Sequence, residues 1–140
     1  MPEVLAPLRL VFPATPRSVS AARHAVSEFA RRGNRRVDEG RVGLAVTEAV
    51  GNAVKHAYPD REPGSVELFA EWSDRGLHVR ISDQGIGMQP NRKGHDLGLG
   101  LRLMEVACDD YELDANPGVT IQMVFTYREA RDRPRRRRFR

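Results

Sequence analysis

The amino-acid sequence predicts an α+β fold, a two-layer sandwich with about three helices on one face of a mixed, mostly antiparallel sheet. Apolar residues recur at helical spacing in two long stretches before residue 57 and a shorter one after residue 97. Between and after these stretches they alternate with period two, in segments joined by short turn sequences that suit hairpins. Strands arrive as neighbours and helices in clumps, which excludes a doubly wound parallel sheet. At 140 residues the chain has room for one domain with a real core and not for two ordinary ones.

The elements follow in order. Leu8 to Phe12 alternates weakly and reads as a short edge strand before Pro13. Thr15 or Ser18 can cap a helix over Arg17 to Arg32, which turns Val19, Ala22, Val26 and Phe29 to one side and ends at Gly33. Asp38 caps a second helix that runs to about His56, with Val42, Ala45, Val46, Ala49, Val50 and Ala53 as its apolar side. Pro59 and the following PDREPGS stop it. SVELFAEW and GLHVRISD alternate cleanly, and Ser73 to Gly76 joins them as a hairpin. A glycine-bearing loop, Gln84 to Asp96, leads to a third helix from Gly98 or Leu99 to Ala107. Strands at Tyr111–Asp114 and Val119–Thr126, turned by Asn116-Pro117-Gly118, close the chain.

Composition narrows the function classes. Apolar residues make up 40% and charged residues 30%, as in soluble globular proteins. No run approaches the roughly 18 apolar residues of a membrane helix. The opening MPEVLAPLRLVFPATP does not read as a secretion signal, and the single Cys108 has no partner for an internal disulfide. A cytoplasmic protein is expected. The net charge of +4 is concentrated at the end, where RDRPRRRRFR holds seven arginines against one aspartate, so the remainder is slightly acidic. The expected division is a domain over 1–128 and a basic, disordered tail over 129–140. The body shows no basic stripe in sequence, so a nucleic-acid partner is not expected except through the tail.

The chemistry concentrates in three stretches. In TEAVGNAVKHAY, Glu48, Asn52 and His56 recur every four residues and so stack along one helical ridge. Read alone, that ridge is as well explained by a solvent-facing stripe. SDQGIGM ends an alternating strand with Asp83, Gly85 and Gly87; a carboxylate at a strand end can accept from a planar amine, and glycines let backbone approach a ring. DLGLGLRLM sets Gly98 and Gly100 at an expected helix start, where free backbone N–H groups favour phosphate. His24, His78 and His95 show no metal-ligand spacing.

Taken in order, these stretches resemble the N box and two glycine boxes of the GHKL ATPase superfamily. From residue 8 to 127 the layout is most similar to its anti-sigma-factor serine/threonine kinases. The resemblance implies a histidine-kinase-like, Bergerat-type ATP-binding domain that uses ATP and Mg2+. It implies Glu48 as general base toward a serine or threonine hydroxyl and Asn52 as a ligand to both ATP and magnesium. Asp83 would accept the adenine amino group, with Gly85 and Gly87 as the floor of the ring. Gly98, Leu99, Gly100 and Leu101 would present backbone N–H groups to the phosphates. Lys55 and His56 would lie beside them, and Thr120 near adenine, where a plain sheet residue is an equal reading. Arg92 and Lys93 fall in the loop between the glycine boxes. The implied partners are a sigma factor and an anti-sigma-factor antagonist, with a homodimer as the usual assembly. An ATP-binding interaction module with little or no kinase activity is the alternative.

Overall fold

The computed structural model describes residues 5–58, 62, 64–86, 95–115 and 118–128, with the backbone alone for 95–100. The chain runs β1 (Leu8–Pro13), α1 (Pro16–Arg31), α2 (Glu39–Asn52), β2 (Ser65–Trp72), β3 (Gly76–Asp83), α3 (His95–Ala107), β4 (Asp110–Asp114) and β5 (Thr120–Thr126). The five strands form one sheet in the order β1-β2-β3-β5-β4. Every pairing is antiparallel, so the mixed sheet expected from sequence is an all-antiparallel one.

Local chemistry accounts for the ends of the helices. α1 opens at Pro16, a residue earlier than expected; a proline there forgoes only an N–H that the first turn leaves unbonded anyway. The Thr15 side chain makes no cap bond to the backbone, and the Ser18 hydroxyl turns back to the Pro13 carbonyl. Asp38 caps α2 as expected, its Oδ1 accepting from the Arg41 N–H at 3.1 Å. Beyond Asn52 the helix does not continue as α: Ala53–Ala57 forms a π turn. α3 begins at His95, a turn before the Gly98 or Leu99 start read from sequence.

The inward residues of β2, β3 and β5 meet the buried stripes of the helices in a single core. Leu68, Leu77, Met104, Ile121 and Phe125 are fully enclosed in it. At the end of the sheet away from Asp83, an aromatic column closes the core. Phe29 stacks on Trp72 at 6.1 Å between ring centroids, and Trp72 on Tyr127 at 5.8 Å. The Arg35 guanidinium caps the column, 3.9 Å from the Tyr127 ring centre. Tyr127 also donates its hydroxyl to the Ser73 carbonyl at 2.6 Å.

The other face of the sheet carries polar side chains. Phe69 lies there between two guanidinium groups, Arg9 at 4.6 Å and Arg80 at 4.8 Å. The β4 edge presents Asp110, Glu112 and Asp114 at alternate, exposed positions. Cys108 follows α3 into the core and donates its thiol to the Met104 carbonyl at 3.0 Å; burial pushes its pKa up to about 11.

Two truncations separate core from surface. Leu68→Ala, which empties a fully enclosed site, is expected to cost about 2–5 kcal/mol. Val11→Ala, on an exposed side chain of the edge strand, should stay within about 0.5 kcal/mol. Urea denaturation of both variants checks the difference.

Candidate functional site

The site grows from the end of α2. Val42, Ala45, Val46, Ala49 and Val50 bury one side of this helix, and Glu48 and Asn52, half-buried, stand one turn apart beside that apolar stripe. The Asn52 amide nitrogen is buried and has no hydrogen-bond partner among the described residues. Burying an amide in this way costs about 1–3 kcal/mol. A half-rotation of the amide would put its carbonyl oxygen in the same place.

The π turn then changes the ridge. Its wider winding takes His56 out of the strict four-residue register with Glu48 and Asn52. His56 is half-buried and Lys55 exposed. The π turn ends at Ala57, whose carbonyl accepts the Ile86 N–H at 3.0 Å. Gly85 sits so close on the Ala57 backbone that a Cβ at residue 85 would overlap that carbonyl group. Only glycine fits this approach. Thus the turn that follows β3 is seated directly on the end of α2.

Tyr58 fastens the same junction from the other side. Its hydroxyl donates to the Ser65 carbonyl at 2.7 Å and accepts the Gln84 N–H at 3.0 Å. One phenol therefore ties the end of α2 to the start of β2 and to the turn after Asp83. The motif signal for this residue was present in TEAVGNAVKHAY, but nothing in its spacing distinguishes a bridging tyrosine from a packed one.

Asp83 ends β3 with its side chain buried. Its Oδ1 accepts the Gly85 N–H at 2.9 Å and the Val119 N–H at 3.3 Å, and its own N–H donates to the Val119 carbonyl at 2.9 Å. Oδ2 accepts no bond among the described residues. Burial raises the Asp83 pKa above its ordinary value, and the two backbone N–H groups oppose that shift. The carboxylate is thus fixed by one oxygen, with the other left for a donor.

The remaining sequence candidates divide. Thr120 pairs with Ser82 and bonds its hydroxyl to that of Ser82 at 3.2 Å, on the sheet face opposite the Asp83 side chain. The structure does not bring Thr120 together with Asp83; the neighbour that reaches the carboxylate is Val119, through its backbone. Gly98 is the fourth residue of α3, and Leu99, Gly100 and Leu101 follow inside the helix. The expected helix start at the glycines therefore moves one turn upstream, and none of these four residues keeps an N–H without an intrahelical acceptor. Gly87, Arg92 and Lys93 lie outside the described residues.

Among the described residues, no cluster of three or more His, Cys, Asp or Glu could hold a metal ion. A magnesium ion takes most of its oxygens from phosphate and water. The Asn52 amide fits as the one protein oxygen, being buried, unpartnered and able to turn. Asp83, whose Oδ1 is held by the Gly85 and Val119 N–H groups, fits a planar amine through Oδ2.

Residues 12–125 match the family of histidine kinase-like ATPase domains. The chain belongs to that family. Within it, the sequence is 35% identical to the serine-protein kinase RsbW of Bacillus velezensis, over 83% of this chain and 82% of that protein. It is 34% identical to RsbW of Bacillus pumilus, over 94% and 93%, and 32% identical to RsbW of Listeria innocua, over 83% and 84%. These relatives place it in the anti-sigma kinase branch of the GHKL superfamily. The crystal structure of the RsbU and RsbW domains of a Mycobacterium tuberculosis protein superposes with a TM-score of 0.70 at 21% identity, covering 93% of this chain and 35% of that one. That likeness is one of fold.

Two measurements check the site's construction. Tyr58→Phe keeps the ring but removes both bonds of the hydroxyl, so a loss of about 1–2 kcal/mol is expected. It should come with faster amide hydrogen exchange at Gln84 and Ile86, and unchanged exchange in β5. Asp83 has a raised folded pKa, so the native state binds its proton more tightly than the unfolded chain does. Its carboxyl therefore contributes stability at low pH that is lost as pH rises from 3.8 through the raised value. Asp83→Asn keeps an oxygen for the backbone donors and removes the titration. Its stability relative to wild type should rise across that window and level off above it, as read by urea denaturation over pH.

Proposed function

We propose that this protein is an ATP-dependent anti-sigma factor, which binds a sigma factor and transfers phosphate from ATP to a serine or threonine of an anti-sigma-factor antagonist. The observation that carries the reading is the buried, unpartnered Asn52 amide, one helical turn from Glu48 on a helix whose end seats the Asp83–Gly85 turn. Its kinship with serine-protein kinases of the RsbW type supports the same reading.

In this reading Asp83 Oδ2 accepts the adenine amino group while Oδ1 stays on its two backbone donors. Gly85 and Gly87 belong to the proposed floor of the ring. Asn52 turns its carbonyl oxygen to magnesium, which when bound neutralises phosphate charge. The start of α3 faces phosphate with its helix dipole, through Gly98, with Leu99, Gly100 and Leu101 continuing the helix behind it. Lys55 and His56 are placed beside the phosphates on the π turn, and Thr120 acts through the sheet rather than on the base. Glu48 takes the proton from the substrate hydroxyl as its oxygen bonds to the γ-phosphorus and the bond to the ADP oxygen breaks. The protein works as a homodimer in the cytoplasm.

Asn52→Ala should lose magnesium-dependent ATP binding, measured by calorimetry. Glu48→Gln should keep most of that binding and lose phosphate transfer by 10²-fold or more, the order of a general-base contribution. Transfer at the wild-type rate by Glu48→Gln would remove the base role. Partner choice is tested by using the protein as bait in source-cell lysate with Mg-ATP and, in parallel, Mg-ADP. Nucleotide-dependent recovery of a sigma factor or a small antagonist is the expected result. ATP binding without either partner would leave an interaction module of another kind.

A further inference from the structure

The peptide group that follows Asp83 is held at both of its polar ends. Its N–H, that of Gln84, donates to the Tyr58 hydroxyl at 3.0 Å. Its carbonyl, that of Asp83, lies so close to Gly118 that a Cβ at residue 118 would overlap the oxygen. A peptide group is planar, so holding it at both ends fixes its orientation. The next N–H along, that of Gly85, closes a turn back onto Asp83 Oδ1 at 2.9 Å. The fixed plane therefore stands between the carboxylate and the donor that orients it. With Oδ1 taken by Gly85 and Val119, the same geometry decides where Oδ2 points.

Tyr58 is itself anchored by parts of the fold outside the candidate site. Its ring packs against the core and lies on Gly64, where a Cβ would overlap the ring carbons. The Gly64 carbonyl accepts the Ala14 N–H at 2.8 Å, at the join of β1 and α1. The Tyr58 hydroxyl donates to the Ser65 carbonyl at 2.7 Å, and Ser65 pairs with Pro13 of β1. A phenol has one proton to give. With that proton on Ser65, the oxygen meets the Gln84 N–H as an acceptor.

We propose that Tyr58 is a positioning residue for adenine: through the Gln84 N–H it holds the Asp83–Gly85 turn so that Oδ2 meets the 6-amino group, without touching the nucleotide. The proposal rests on the reading of Asp83 as acceptor of that amino group. Two observations favour a role in base recognition over one in phosphate transfer or in packing alone. The bond enters the site at the residue next to Asp83, whereas Glu48 and Asn52 stand in α2, on the far side of the π turn. Packing, moreover, is the work of the ring, and the hydroxyl is directed to the start of β2 and to the turn.

The test combines one change in the protein with one in the ligand, read by calorimetry on the full chain with magnesium. The ligands are ATP and purine riboside triphosphate, which differs only in lacking the 6-amino group. Wild type should bind ATP about tenfold more tightly than the analogue, as one hydrogen bond to a carboxylate implies. Tyr58→Phe keeps the ring and should weaken ATP about fivefold, while the analogue stays within about twofold of its wild-type affinity. The coupling is reciprocal, so in wild type ATP should slow hydrogen exchange at the Gln84 N–H more than the analogue does. Equal weakening of both nucleotides by Tyr58→Phe would overturn the proposal and leave a tyrosine that only supports the fold. So would ATP affinity unchanged by the substitution. Wild type binding the two nucleotides equally would instead remove Asp83 as amino acceptor, and with it the reading on which the proposal rests.

Discussion

The site depends on one backbone contact, the seat of the Gly85–Ile86 turn on the carbonyl of Ala57. That carbonyl lies at the end of a helix, where the usual partners four residues on have run out. It is satisfied instead by the Ile86 N–H, across a gap so small that residue 85 must be glycine. The contact sets the position of Asp83 relative to α2, because the same turn returns its Gly85 N–H to the Asp83 carboxylate. The π turn belongs to this arrangement. Five residues wound more widely carry the chain from Asn52 to Ala57, and Tyr58 then locks the result by bonding to β2 and to the turn together. Carboxylate, amide and glycine turn form one unit.

The rest of the fold holds that unit in place. β3 is central, flanked by β2 and β5, and its inward residues Leu77, Val79 and Ile81 are buried. Asp83 continues that inward series, so the core's last buried position in the strand is a charged one. Burial of a carboxylate is unfavourable without donors, and β5 supplies one through the Val119 N–H. At the other end of the same strand pair, the Phe29–Trp72–Tyr127 column replaces aliphatic packing and passes into arginine. The sheet thus separates two chemistries, a recessed polar site and an open cationic one, with an apolar interior between them.

Much of this was legible in the sequence. Period-two alternation located β2 and β3 to the residue, the Asp38 cap started α2 where it stands, and three ordered motifs pointed to Glu48, Asn52 and Asp83. The misses share a cause: they are set by distant partners. Nothing between Ala53 and Ala57 departs from a good α-helical sequence; the turn widens where residues 85 and 86 dock. Thr120 was read equally as a residue near adenine and as a plain sheet residue; strand parity is counted from pairing, and opposite Ser82 its side chain lies on the face away from Asp83.

The β4 edge carries a consequence of its own. An edge strand offers unpaired N–H and C=O groups to any second strand that arrives. Here Asp110, Glu112 and Asp114 occupy every other position on its exposed side. Were two copies to pair through β4, antiparallel and in register, carboxylates would meet carboxylates at every other cross-strand step, with Tyr111 opposite Leu113 between them. The same charges that keep this edge in water thus also resist edge-to-edge growth of the sheet.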